Sequence, residues 1–313
     1  MWVMKMSDKF DFMGQIKHIS GYMFVILFDL DDKYLIAHPK YDLRNEVRRI
    51  SNPVDPNRNN QLNVEGTEKF GKKDYLVCKD DIVEYYPCFG VDNKLLGGTT
   101  KSKNTCEALR ELIELFSEII PKENIGVTGS LATGNASDGY SDIDILLKEK
   151  DLRELTSSKI FANANIQMRN KTQWVEFYNH YGVFCALDAE EFADVASNKL
   201  QQFIYKGIPV SIFIDSGRDF LQITNSFSTT DIGSNSMVLL KGRVISENLI
   251  KLPGYILVEG DNRISVIVNL HRTYQNCLYV GDFCEVKARN SSFTDLYIVN
   301  YDDVCYIKRR NGD

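Results

Sequence analysis

The sequence contains neither a long apolar run nor a leader segment of the usual kind. No stretch approaches the ~18 consecutive apolar residues that a helix needs to cross a bilayer. The mildly apolar start is interrupted by Lys5 and is too short for the core of a signal peptide. We therefore expect a cytoplasmic protein with no membrane partner.

Closely spaced cysteines and abundant histidines are missing as well. None of the seven cysteines belongs to a Cys-x-x-Cys pair, and the chain has only four histidines. Zinc sites and disulfide frameworks both depend on tightly spaced ligands. We therefore expect free thiols and no histidine-rich metal site.

The chain also lacks a surplus of basic charge. Its 37 Lys and Arg residues against 43 Asp and Glu give a net charge of −6, so a nucleic acid would have to be held by a local patch. Hydrophobic residues make up 43% of the sequence and charged residues 26%, which is the balance of a globular protein with a substantial core. A length of 313 residues is sufficient for two or three domains.

The order of patterns along the chain predicts an α+β fold in three domains. Strand-forming runs such as 22–28 come first, helical and strand patterns then alternate, and five short strands separated by glycine turns end the chain. We predict an N-terminal β-rich domain, a central domain in which a mixed sheet packs with helices, and a small C-terminal β-barrel-like domain. The predicted domains span residues 1–97, 98–235 and 236–313.

The central domain opens with an amphipathic helix. Asn104 is placed to cap this helix together with Glu107, and Pro121 ends it. A further helix is predicted from 188 to about 205, where apolar residues recur at helical spacing. A strand over residues 209–215 is expected to come after it.

Between these helices, a short strand runs directly into Gly129 and Ser130. Glycine permits a tight turn and a close approach to the backbone. Residues 131–134 are expected to open a short helix, so that its amide N–H groups and the Ser130 hydroxyl face a phosphate. A Gly-Ser turn alone is common, and so its interpretation depends on the residues that succeed it in the chain.

Two acidic residues lie on the next predicted strand. Asp142 and Asp144 alternate with Ile143 and Ile145, and the two-residue period of a strand puts both carboxylates on one face, roughly 6.5 Å apart. Mg²⁺ takes carboxylate and phosphate oxygens, and two ions ~3.5–4 Å apart can hold the attacking and leaving oxygens of an in-line displacement. An Asp-x-Asp pair is usually a solvated face, but its place after the Gly-Ser turn favours a site for metal and nucleotide.

These two segments carry a resemblance to a known superfamily. Residues 129–134, Gly-Ser-Leu-Ala-Thr-Gly, and 141–146, Ser-Asp-Ile-Asp-Ile-Leu, resemble the signature of the DNA polymerase beta-like nucleotidyltransferase superfamily. The whole chain is similar, more loosely, to an archaeal family of predicted nucleotidyltransferases that joins a small N-terminal domain to a central nucleotidyltransferase domain and a C-terminal β domain. The resemblance implies that Ser130 binds a triphosphate and that Asp142 and Asp144 ligate divalent metal.

The sequence departs from the superfamily pattern at two positions. Thr133 stands where many members with this motif carry an arginine that contacts phosphate. Ser211 stands where active members place a third carboxylate, which usually activates the incoming hydroxyl. Asp215 lies on the same face of that predicted strand but about 13 Å further along it, and Asp215 or Glu190 would have to substitute.

The C-terminal domain gives weaker signals. A five-stranded barrel can be of the oligonucleotide-binding kind, but its charge is nearly balanced and its best strand, 264–268, is aliphatic apart from one serine. A protein-packing role is therefore at least as well supported as nucleic-acid binding. The basic run at 308–310 is expected to be a solvated tail.

The leading prediction is a metal-dependent nucleotidyltransferase that uses two Mg²⁺ ions. It would move a nucleoside monophosphate from a nucleoside triphosphate such as ATP to a hydroxyl acceptor, and RNA ends, protein side chains and small molecules stay open as acceptors. The alternative, which Ser211 favours, is a catalytically inactive nucleotide- or RNA-binding protein that retains the fold; a weaker third possibility is an assembly module. The predicted catalytic residues are Asp142, Asp144 and Asp215, of which the first two ligate metal, and the predicted substrate-binding residues are Gly129, Ser130, Thr133, Gly134 and Ser141.

Overall fold

The computed structural model of the chain is a mixed α+β structure, as predicted, and divides into two compact units. The units are Met1–Leu146 and Leu147–Asp313, and the boundary between them falls inside a strand. The three-domain division expected from the sequence stays a prediction. The structure describes residues 10–29, 32–44, 48–49, 67–70, 74–90, 102–139, 141–148, 159–181, 185–197, 199, 201–215, 236–249, 254–260, 263–291, 295–299 and 304–310.

An antiparallel sheet occupies the N-terminal part of the first unit. Its strands are β1 (Gln15–His18), β2 (Tyr22–Asp29), β3 (Tyr34–Asp42), β4 (Arg48–Arg49), β5 (Thr67–Phe70), β6 (Asp74–Cys78) and β7 (Ile82–Tyr86). They are ordered β5-β6-β3-β2-β1-β7, with β4 paired to β3. The strand predicted over 22–28 is confirmed as β2, because its aromatic and β-branched residues suit a pleated, half-buried surface. The sheet core contains Ile16, Tyr22, Phe24, Ile26, Leu35, Ala37, Tyr75 and Val77.

Helix α1 (Lys103–Ser117) buries one apolar face, as its helical spacing predicted. The predicted cap was wrong, because Asn104 lies within the first turn. The carboxylate of Asp138 caps the helix instead and accepts hydrogen bonds from the backbone N–H of Thr105 at 2.9 Å and of Asn104 at 3.0 Å. These bonds hold the pKa of Asp138 below its usual value. A long-range cap of this kind leaves no local sequence pattern.

The second sheet has five strands in the order β10-β11-β12-β9-β8. The strands are β8 (Ile125–Thr128), β9 (Ile143–Lys148), β10 (Ile166–Met168), β11 (Gln202–Tyr205) and β12 (Ile208–Asp215). The helices between them are α2 (Gly129–Ala132), α3 (Lys171–Tyr181) and α4 (Ala189–Ala196). Strand β9 carries the boundary between the two units.

The helix predicted from 188 to 205 is correct only in its first part. Asp188 and Glu191 form a capping box at the start of α4, which ends at Ala196. From Gln202 the chain is a strand, in which Phe203 and Tyr205 are buried while their neighbours are partly exposed. Pairing with β12 imposes this two-residue period. Tertiary pairing therefore overrides a spacing that also suits a helix.

The C-terminal part of the second unit is a small barrel, as predicted. Its strands are β13 (Met237–Asn248), β14 (Gly254–Gly260), β15 (Arg263–Asn269), β16 (Phe283–Asn290), β17 (Leu296–Val299) and β18 (Tyr306–Arg310). Pairings of β13 with both β14 and β16 close a five-stranded ring in which only β15 and β17 are parallel, and β18 adds to β16 outside it.

Strand β18 contains the basic run that was expected to be a solvated tail. The run is a paired strand rather than a tail, so that part of the prediction was wrong, whereas Arg309 and Arg310 are exposed as expected. Lys308, Arg309 and Arg310 pair with β16 through the backbone. Their side chains form ion pairs, among them Arg310 with Glu285 at 2.6 Å and Lys308 with Glu191 at 3.1 Å. Each of the three basic side chains therefore has an acidic partner within the same unit.

Two predicted absences can be compared with the structure. All seven cysteines are free thiols in this structure. Among the helices that the structure describes, none is both long and apolar enough to span a membrane.

Candidate active site

The Gly-Ser turn joins a fully buried strand to a single helical turn. Strand β8 buries all four of its residues, and the chain enters α2 at Gly129 with φ +72°. This left-handed conformation favours glycine. A Cβ atom at this position would also overlap the carboxylate of Asp144. The acidic strand and the turn are thus in direct contact, and Gly129 is what makes the contact possible.

Helix α2 begins two residues earlier than predicted, at Gly129 rather than at residue 131. The Thr133 hydroxyl donates to the carbonyl oxygens of Ser130 at 3.3 Å and Gly129 at 3.5 Å. Gly134 has φ +71° and leads the chain out of the turn. Thr133 therefore closes the helical turn with its hydroxyl. Its role and that of Gly134 in substrate binding stay predictions.

The two acidic residues lie in different environments. Asp142 precedes β9 and is exposed, whereas Asp144 lies within β9 and is 4% exposed. Burial makes an ionised carboxylate unfavourable by several kcal/mol unless a cation or hydrogen bonds compensate. A positive charge close to Asp144 would therefore offset part of this free-energy cost.

A cation of the protein lies beside Asp144. The Lys40 ammonium is 4.0 Å from Asp144 Oδ2, and the two side chains are 21% and 5% exposed. Lys40 lies on β3 of the N-terminal sheet. Sequence reasoning missed this residue, because a lysine on a distant strand belongs to no local motif.

The N-terminal sheet also holds the Gly-Ser turn through buried hydrogen bonds. Gln15 on β1 donates from Nε2 to the carbonyl oxygen of Gly129 at 2.6 Å. The Thr128 hydroxyl donates to the carbonyl oxygen of Met13 at 2.5 Å. Gln15 and Thr128 are each 1% exposed, so these bonds are shielded from water. The turn is positioned by residues that the sequence motif does not contain.

Ser141 shapes the loop that leads into the acidic strand. Its hydroxyl oxygen accepts a hydrogen bond from the backbone N–H of Ser137, and its own backbone N–H donates to the Ser137 carbonyl oxygen, both at 3.0 Å. Together with the Asp138 cap on α1, this contact holds described residues on the way from α2 to β9. A contact of Ser141 with substrate stays a prediction.

The residues considered for a third carboxylate lie in the second unit. Ser211 on β12 is 7% exposed. Asp215, at the end of β12, accepts a hydrogen bond from the Lys148 ammonium at 2.6 Å. Glu190 is exposed and pairs with Lys171 at 3.3 Å. Catalytic roles for Asp215 and Glu190 therefore stay predictions, and each has a lysine partner in this structure.

No protein-only metal cluster is found in the part of the chain that the structure describes. There, no three His, Cys, Asp or Glu side chains form a group that could hold a metal ion. The candidate site supplies two carboxylates, Asp144 within β9 and Asp142 directly before it. Any divalent cation at this place would need ligands from elsewhere, such as phosphate oxygens and water.

Comparison with known proteins identifies the region that carries this site. Residues 109–178 match a family model described as a nucleotidyltransferase domain, and this segment includes Gly129, Ser130, Asp142 and Asp144. No curated protein and no solved structure matches the chain. The predicted resemblance to the nucleotidyltransferase superfamily is confirmed for this domain, which supports nucleotidyl transfer in general. The looser resemblance to an archaeal family stays a prediction.

Proposed function

We propose that this nucleotidyltransferase domain transfers a nucleoside monophosphate from a nucleoside triphosphate to a hydroxyl acceptor and releases pyrophosphate. The observation that carries the proposal is the contact between Gly129 and the Asp144 carboxylate. It brings the turn expected to bind phosphate against the acid expected to bind metal. Both lie in the segment that matches the nucleotidyltransferase domain.

The phosphate groups would lie over the turn. The first backbone N–H groups of α2 point out of its N-terminal end, where the helix starts at Gly129. Backbone N–H groups that converge in a turn can bind an anion. Ser130, 9% exposed, contributes its hydroxyl. The ammonium of Lys40 adds positive charge beside the same turn. These groups bind and orient the triphosphate.

The acidic strand has a donor set that fits Mg²⁺. Mg²⁺ is usually bound through one or two carboxylates together with substrate phosphates and water, and Asp142 and Asp144 supply two carboxylates. The lysine ammonium at 4.0 Å from Asp144 already marks a place where a positive charge is favourable. When bound, Mg²⁺ would neutralise charge on the reacting phosphate. The role of Asp142 and Asp144 is to hold it next to the turn.

A second function is favoured by a specific observation. Ser211 stands on β12 where active superfamily members are expected to carry an acid, and Asp215 is engaged by Lys148. Without a third carboxylate, a base for the acceptor hydroxyl is missing. The second candidate is therefore a catalytically silent protein that binds a nucleotide or RNA with the same turn.

A transfer assay with labelled triphosphates separates the two functions. The protein is incubated with Mg²⁺ and each of the four ribonucleoside triphosphates, with RNA, a protein or a small alcohol as acceptor, and pyrophosphate is measured. We expect release that Asp144→Asn lowers about 100-fold or more, since several kcal/mol of charge stabilisation are lost. Asp29→Asn is the matched control, because Asp29 is also paired with a lysine, Lys79, at 2.5 Å.

The outcomes are distinct. Pyrophosphate release that Asp144→Asn lowers about 100-fold or more and Asp29→Asn leaves unchanged supports transfer. Triphosphate binding without release under any condition supports the silent binder. Absence of both binding and release excludes both functions.

A further inference from the structure

Lys40 occupies a break in the pairing of the N-terminal sheet. Tyr41 lies opposite Met23 and Pro39 lies opposite Phe24, so Lys40 is the extra residue of a β-bulge in β3. Bulges bend a strand locally, re-aim a side chain and are over-represented beside active sites. Pro39 and Tyr41 are both buried and hold the backbone on either side of Lys40, whereas the Lys40 side chain is partly exposed.

We propose that Lys40 is a built-in counter-ion, which neutralises Asp144 in the absence of metal and moves to the triphosphate when a divalent cation binds. The inference rests on the proposed function, because it takes Asp144 as a metal ligand. The ammonium lies 4.0 Å from Asp144 Oδ2, on a carboxylate whose side chain is 5% exposed. Opposite charges at this distance attract each other, and the attraction is screened less beside a buried carboxylate than in bulk water.

A divalent cation and the ammonium compete for the same carboxylate oxygen. A metal bound at Oδ2 would repel a lysine ammonium held at the present distance. The lysine stem has four rotatable carbons and is 21% exposed, so the ammonium can leave without movement of the strand. The oxygens of a triphosphate on the adjacent turn offer it a new partner. Lys40 is in this sense a positioning residue for Asp144 and a binding residue for phosphate.

This exchange predicts effects of opposite sign on two affinities. Lys40→Met removes the competitor and is expected to bind Mn²⁺ alone about tenfold more tightly, a change of about 1.4 kcal/mol. The same variant is expected to bind a nonhydrolysable ATP analogue with Mg²⁺ about tenfold more weakly. A lysine that only supported the fold would weaken both affinities when removed.

The test measures both affinities by titration for the wild type and three variants. Lys40→Arg keeps the charge and should restore analogue binding to within threefold of the wild type. Lys79→Met is the matched control, since it removes a lysine of similar exposure from the Lys79–Asp29 ion pair of the same unit, and it should change neither affinity by threefold. Melting curves establish that each variant is folded.

A measurement on the wild type does not depend on any variant. Acylation of the Lys40 ammonium by an amine-reactive reagent, quantified by mass spectrometry, should become faster with Mn²⁺ and slower again when the analogue is added. Lys79 should show neither change. If Lys40→Met proves unfolded, this measurement decides.

The results separate this inference from the proposed function. Tighter Mn²⁺ binding together with weaker analogue binding, each by threefold or more, supports the inference. A smaller change in either affinity, or a loss of both, overturns it, even if Asp144→Asn abolishes Mn²⁺ binding and the proposed function stands. If the wild type binds neither Mn²⁺ nor the analogue, the function and the inference fail together.

Discussion

Replacement of Gly129 by alanine should disturb the Gly-Ser turn in two separable ways. The first is conformational, because φ +72° is a left-handed conformation that costs a residue with a Cβ roughly 1–2 kcal/mol. The second is steric, because the new Cβ would overlap the Asp144 carboxylate. Forcing an extra carbon into a packed site typically costs about 1–3 kcal/mol. We expect Gly129→Ala to lower the free energy of unfolding by about 2–5 kcal/mol.

Gly134 provides a control from the same segment. Its φ is +71°, but a Cβ there would meet no atom within 4 Å. Gly134→Ala should therefore show only the conformational part, about 1–2 kcal/mol. The difference between the two variants measures the overlap with Asp144.

The assay is urea unfolding followed by tryptophan fluorescence and circular dichroism. A third protein, in which Gly129→Ala is combined with Asp144→Ala, removes the carboxylate and should recover about 1 kcal/mol or more of the steric part, as a coupling between neighbouring residues. Equal destabilisation by Gly129→Ala and Gly134→Ala, within about 0.5 kcal/mol, would refute the reasoning. It would mean that the acidic strand does not press against the turn.

Two further predictions concern the N-terminal sheet. Gln15→Leu removes the short, buried hydrogen bond to the Gly129 carbonyl oxygen and leaves that oxygen only the 3.5 Å contact with the Thr133 hydroxyl. The free energy of unfolding, measured by urea unfolding, should fall by about 1–3 kcal/mol. The exposed Gln167→Leu should have no measurable effect, and an equal loss in both variants would contradict the role of the hydrogen bond. His18 is fully buried, and burial lowers its pKa below 6.5 despite the opposing charge of Asp81. The unfolded chain therefore takes up a proton first, and the wild type should lose stability as pH falls below about 6.5. His18→Gln should reduce this pH dependence in melting curves between about pH 7.5 and 5.5, and an unchanged slope would show that another group is responsible.

Local chemistry allowed much of the fold to be predicted. The aromatic and β-branched run of β2 and the glycine-separated strands of the barrel carry their own signals. The signal is ambiguous from Gln202 to Tyr205, where the apolar residues suit a helix or a strand and only pairing with β12 decides. It is misleading at Lys308 and its neighbours, since charged residues in an added strand look like a tail.

The candidate site also has one part that the sequence predicts and another part that it does not. Gly129, Ser130, Asp142 and Asp144 lie close enough together in the chain to form a recognisable motif, and their order predicts the turn and the acidic strand. Lys40 and Gln15 reach the site from other strands. Their contacts depend on strand register and on a bulge, which short-range spacing does not encode. Whether Asp215 serves as a third acid stays a prediction.

The hydrogen bonds from Gln15 and Thr128 also determine which truncated fragments of this chain would keep the Gly-Ser turn in place. The segment that matches the nucleotidyltransferase family begins at residue 109, whereas the groups that brace the turn come from Met13, Gln15 and Lys40. An expressed fragment trimmed to the matched residues would contain every motif side chain and none of these supports. Its buried Gly129 carbonyl and Thr128 hydroxyl would face solvent, and Asp144 would lose its lysine. The stretch that similarity recognises is thus smaller than the stretch that must fold together.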